Sequence, residues 1–119
     1  MSVNKVTLIG NLGAAPEVNF MPSGDAAVNL SVATSYRWTG KEGIKQEQTE
    51  WHRVTAFGKP AEFAAEYLAK GRTVYVEGRL RTRKWTDSAG IDRYTTEIVA
   101  HEIQAIGPRP TGEAAPSDD

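Results

Sequence analysis

The chain has 119 residues, 39% of them hydrophobic, which suits one domain with a single modest core. It contains no cysteine, which excludes disulfides, thiolate zinc sites and a cysteine nucleophile, and no apolar run approaches the ~20 residues that span a bilayer. Formal net charge is -1, but thirteen Lys and Arg stand against twelve Asp and Glu up to Ile106, and one Arg against three acids beyond it.

The N-terminus, MSVNKVTLIG, alternates from the start and has no charged leader before an apolar run. No signal peptide is expected, and the expected setting is soluble and intracellular. In NKVTLIG, Val6 and Leu8 share one face while Lys5, Thr7 and Ile9 take the other. The next segment, APEVNFMPSGDA, reads as a long connection in which Pro16 and Pro22 limit regular structure. AVNLSVATS then alternates Val28, Leu30 and Val32 against Asn29, Ser31 and Ala33. RWTGKEGIKQEQ, with two glycines, reads as a projecting loop, and TEWHRVTAF puts Trp51, Arg53, Thr55 and Phe57 opposite His52, Val54 and Ala56.

The period changes in GKPAEFAAEYLAKG, which is rich in good helix formers. Pro60 suits a first turn, Gly71 suits the residue just past the end, and Phe63–Tyr67 and Ala64–Leu68 make an apolar stripe. Two more β-rich runs follow, RTVYVEGRLRTRKW and RYTTEIVAHEIQAI, joined by the turn TDSAGID. Three strands, a helix and two strands predict an all-β, five-stranded antiparallel OB-fold barrel, with the helix between strands three and four plugging one end. Residues 1–106 form this domain, and residues 107–119, Pro-rich and mildly acidic, are expected to be a disordered tail.

Charge and aromaticity coincide in EGRLRTRKWTDSAG. On one strand, Arg79, Arg81, Arg83 and Trp85 share a face, and three guanidinium groups cannot lie in a core without partners. Trp51, Arg53 and Phe57 repeat the combination, and Trp38 follows Arg37 in a segment that also carries Lys41 and Lys45. Rows of arginine are often only solvated faces paired with acids on a neighbouring strand, and Glu97 is placed to be such a partner. Yet all three tryptophans lie within two residues of a cation. That pattern suits a single-stranded nucleic acid, whose phosphates follow the cations and whose unpaired bases stack on rings at about 1–3 kcal/mol each.

The blocks VNKVTLIGNLGAAPEV, QTEWHRVTAFGKPAEFAAEYLAKG and VEGRLRTRKWTDSAGIDRYTTEI resemble the bacterial-type single-stranded DNA-binding proteins, from about Ser2 to Ile106. The resemblance implies a homotetramer of OB folds that binds single-stranded DNA in replication, recombination and repair, in the cytoplasm at the nucleoid. It implies stacking by Trp38, Trp51, Phe57 and Trp85, and phosphate contacts from Lys5, Arg53, Lys59, Lys70, Arg81, Arg83 and Lys84. It also implies a place for His52 near a subunit contact, in a structural role. The family usually ends in an acidic, hydrophobic tip that recruits partner enzymes. The resemblance leaves replication and repair proteins as partners, but this chain stops at PSDD, without the usual recruiting tip.

No cofactor, metal or enzymatic activity is expected. His52 and His101 are the only histidines, the acids are scattered, and the glycines of IGNLG lack both the spacing and the following helix of a dinucleotide fingerprint. Two other readings remain: an RNA-binding barrel, which a 2′-hydroxyl contact would distinguish, and a protein-binding module anchored by the tryptophans.

Overall fold

The alternating runs form strands that curl into a closed ring. In the computed structural model, which describes residues 1–107, the order is β1 (Val6–Leu12), β2 (Glu17–Phe20), β3 (Ala26–Thr39), β4 (Lys45–Phe57), α1 (Lys59–Tyr67), β5 (Thr73–Thr86) and β6 (Asp92–Ile106). The tail expected after Ile106 lies outside the described residues from position 108 on. β1 pairs with β5, β5 with β6, β6 with β4, β4 with β3 and β3 again with β1, so five strands close the barrel. No helix among the described residues is long and apolar enough to cross a membrane.

Alternation turns Val28 and Val32 of β3, Val54 of β4, and Val74 and Val76 of β5 inward, and all five are fully buried. β-branched side chains pack well on a pleated surface, so the core is built largely from valine. The helix covers one end of this core, as its composition suggests. Pro60 sits in its first turn, where a missing N–H costs nothing, and Ala61 and Ala64 are buried against the barrel. The helix stops at Tyr67 because Leu68 takes an extended conformation, which leaves its side chain only 7% exposed in the core. Tyr67 leans on Phe63 at 5.3 Å but is 55% exposed, so the stripe that meets the core is made by the alanines, Leu68 and the partly buried Phe63, without Tyr67.

Three features differ from the expected plan. First, a sixth strand, β2, pairs along β3 from Glu17↔Asn29 to Phe20↔Ala26. Pro16 and Pro22 flank these four residues without interrupting them, which leaves their N–H groups free to pair. Second, the segment expected as a loop is mostly strand: β3 and β4 stay in register to Thr39↔Lys45, and Glu42 and Gly43, both at positive φ, turn the chain. Third, the barrel is antiparallel except at β4–β6, where Val54↔Ile98 to Ala56↔Ala100 are parallel. The helix between β4 and β5 reverses the path, so the next strand to reach β4 arrives running in its own direction.

β5 and β6 carry a bulge. Glu77 is opposite Glu102 and Gly78 opposite Ala100, leaving His101 as the extra residue. A Cβ on Gly78 would stand 2.1 Å from the Val99 carbonyl oxygen and 2.8 Å from the Ala100 Cα, so only glycine admits this approach. Gly78→Ala is therefore expected to destabilise the barrel by about 1–3 kcal/mol, read as a lowered urea midpoint at unchanged slope. An unchanged midpoint would show that the strands can part at the bulge without cost.

Candidate nucleic-acid interface

Two long ribbons, β3–β4 and β5–β6, carry the aromatic and basic residues, and both outrun the core. Ser35–Thr39 and Lys45–Trp51 are exposed throughout, as are Thr82–Thr86. β4 and β6 touch through only three register pairs. Because those pairs are parallel, both strands diverge on the same, N-terminal side of the seam. The space between them is a cleft of about 630 Å³, walled by Trp51, His52 and Arg53 on β4 and Tyr94, Thr95 and Thr96 on β6.

Trp51 remains 58% exposed, with its ring seated on the backbone of Gly13. A Cβ at Gly13 would lie 2.4 Å from Cζ3 and 2.7 Å from Cη2 of the indole. The glycine thus fixes where the ring lies and leaves the ring accessible to a ligand. Trp85 is held differently. Its Nε1 donates to Thr95 Oγ1 at 2.8 Å, tying one edge to β6 while 42% of the residue stays exposed. His52 alternates away from Trp51, and its Nε2 lies 2.8 Å from Thr34 Oγ1, a cross-strand hydrogen bond that fits a structural role.

The register explains the rest of the face. Arg81 is opposite Glu97, Arg83 opposite Thr95 and Trp85 opposite Arg93, so all six side chains share the outer surface of the β5–β6 ribbon. Glu97 is only 2% exposed. Arg81 donates to it, Arg83 Nε lies 3.3 Å from its Oε2, and Thr55 Oγ1 lies 3.3 Å from its Oε1 and 3.1 Å from Asn29 Oδ1. Burial pushes the Glu97 carboxyl up, but hydrogen bonds and charge from the two arginines outweigh it and hold the group below its ordinary 4.5. Arg81 also covers one face of Phe57, its Cζ 5.8 Å from the ring centroid.

The predicted side chains are therefore only partly gathered. Trp51 and Arg53 wall the cleft, and Trp85, Arg81, Arg83 and Phe57 lie on the contiguous outer surface. Lys84 alternates to the other side of β5, where it pairs with Asp92 at 3.3 Å. Lys5 precedes β1 and pairs with Glu77 at 3.6 Å. Lys59 opens α1 and Lys70 follows it. Trp38 lies opposite Gln46, on the face of β3–β4 turned away from Trp51. Among the described residues, Arg53, Lys59 and Lys70 have no carboxylate partner, whereas Lys5, Arg81, Arg83 and Lys84 do. Tyr94, 68% exposed across the cleft from Trp51, is marked by neither composition nor spacing. Its place in DRYTTE, one residue from Arg93, is the signal the sequence carries for it.

A model of the single-strand binding protein family matches residues 3–106. Among solved structures, the chain is similar to the Plasmodium falciparum SSB complex with ssDNA, at 31% identity and TM-score 0.81, over 90% of this chain and 97% of that one. It is also similar to a deletion mutant of the single-stranded DNA binding protein from Thermus aquaticus, at 33% identity and TM-score 0.77. That match covers 90% of this chain and 52% of the other.

The Glu97 cluster makes a pH prediction with a definite sign. A carboxyl whose folded pKa is depressed stabilises the fold above its unfolded value and loses that contribution as pH falls through the folded one. Wild type is expected to exceed Glu97→Gln in unfolding free energy by about 2 kcal/mol at neutral pH. In urea titrations that gap should narrow as pH drops below the ordinary value of 4.5. A gap independent of pH would mean that Glu97 holds the arginines no better charged than neutral.

Proposed function

The chain belongs to the single-strand binding protein family, and we propose that it holds single-stranded DNA across the cleft between its two ribbons. It binds without catalysing a reaction, and it acts in replication, recombination and repair. In this reading unpaired bases stack on Trp51 and Trp85, with Phe57 and Trp38 as further rings. Arg53, Arg81 and Arg83 meet phosphates beside them, and Lys5, Lys59, Lys70 and Lys84 extend the positive field around the barrel.

The observation that carries the reading is the Trp51 ring, exposed on its Gly13 seat with Arg53 beside it and Tyr94 across the cleft. A duplex presents no base faces to such a ring, so the site favours unpaired strands. Arg81 and Arg83 are not neutralised by sharing Glu97. Two guanidinium groups on one carboxylate leave a surplus of positive charge, and each retains N–H donors beyond the bonds it has made.

The proposal extends to a homotetramer in the cytoplasm, at the nucleoid. Residues 1–106 act as the binding domain in this reading, with residues 107–119 as an appended tail.

Titration of the intrinsic tryptophan fluorescence with oligo-dT, a matched duplex and a matched RNA tests the proposal. Strong quenching by oligo-dT and a weak response to duplex are expected, with log affinity falling against log salt at ~0.7 per neutralised phosphate. Trp51→Ala should weaken binding about 5- to 150-fold, the equivalent of about 1–3 kcal/mol. Gly13→Ala, which keeps every ring but pushes Trp51 from its seat, should weaken binding in the same direction by less. No response to any single strand would overturn the proposal and leave the Trp–Arg faces as protein contacts.

A further inference from the structure

Tyr36 belongs to none of the contacts described so far, yet it is 67% exposed on the arm of β3 that projects beyond the core. It lies two residues from Trp38 on the same face of the strand, and the two rings stack with centroids 5.2 Å apart and planes 24° from parallel. Trp38 is itself 39% exposed. The stack runs along one strand. Opposite Tyr36 and Trp38 on β4 are Gln48 and Gln46, so the rings do not bind β3 to β4 as a cross-strand aromatic pair would.

The parity of the register separates this pair from Trp51. Trp51 is opposite Ala33, whereas Trp38 is five residues farther along β3 and opposite Gln46. Side chains alternate between faces, so the Tyr36–Trp38 stack lies on the other side of the ribbon, ~17 Å of strand away. A hollow of about 450 Å³ adjoins Trp38 and is bordered by Gln46 and Lys45. The side chains across from the rings are neutral amides, and the neighbouring Arg37 is already paired with Glu47 at 3.1 Å. Lys45 is left as a cation at the rim of the hollow, while the two rings themselves present flat aromatic faces, which suit a base with its phosphate toward the lysine.

We propose that Tyr36 and Trp38 together form a second stacking platform, which takes an unpaired base on the face of the β3–β4 ribbon turned away from Trp51. The proposal rests on the reading of the chain as a single-strand binder and assigns Tyr36 a direct part in it. A strand reaches this platform only after passing around the edge of the ribbon, so short strands seated at Trp51 do not use it. Because the platform works by stacking, it contributes affinity that salt does not remove.

The test compares wild type, Tyr36→Ala, Tyr36→Phe and Trp51→Ala on dT strands of about 4 and about 16 nucleotides, the range one barrel accommodates. Tyr36→Ala should weaken the longer strand about 5- to 150-fold, the loss of one stacked base, and leave the shorter one near wild type. Tyr36→Phe should restore binding, since the ring and not the hydroxyl does the work. The slope of log affinity against log salt should be the same for Tyr36→Ala and wild type, as should the thermal midpoint. Tyr36→Ala binding the longer strand as tightly as wild type would overturn the platform, as would an equal loss on both lengths. In either case, weakening of both strands by Trp51→Ala would leave the main proposal standing. Failure of wild type to bind either strand would overturn both.

Discussion

A carboxylate removed from water on the outside of a barrel is an unusual place to put a charge, and Glu97 is tolerable there only because two guanidinium groups and a hydroxyl surround it. Through those partners it reaches β5 directly, β4 through Thr55, and β3 through the contact of Thr55 with Asn29. A single anion thereby gathers four strands at the seam where the barrel has few backbone bonds to hold it. The same cluster fixes Arg81 and Arg83 in place before any ligand arrives. Positive charge held in position loses less rotational freedom on binding than charge at the end of a free side chain.

The ring residues show the same economy of motion. Trp51 rests on a glycine, Trp85 is tethered by its indole nitrogen, and Phe57 is covered on one face by Arg81. These are three different ways of keeping an exposed aromatic side chain from wandering or collapsing onto the core. Gly13 and Arg81 reach Trp51 and Phe57 from outside the β3–β4 ribbon, whereas Trp85 is held by the partner strand of its own ribbon.

Much of this was legible in the residues. Alternation reported the five barrel strands because each has one side in a valine core, and the change of period marked the helix because alanines had to face that core. The acid opposite the arginine row could be anticipated, since a strand full of guanidinium groups calls for one. β2 could not be read this way: all four of its residues are exposed, so no burial pattern is written in them. The cleft was equally hidden. It follows from a parallel pairing between strands far apart in the chain, and no local spacing records that. Nor does any local pattern show that Trp38 and Trp51 occupy opposite faces, because that depends on how two strands are aligned and not on either alone.

The ring of strands is closed by two short joints, two residue pairs between β1 and β3 and three between β4 and β6, while every other junction between barrel strands runs for many residues. Mechanically the molecule is a clasp with two leaves. One leaf is β3–β4 with β2, the other is β1–β5–β6, and each is stitched along its full length. Breaking the ring costs the fewest backbone bonds at these two joints, so separation of the leaves there disturbs the least of the hydrogen-bonded sheet. The cleft opens beside the short β4–β6 joint, so its width is set where the two leaves meet and not within either of them.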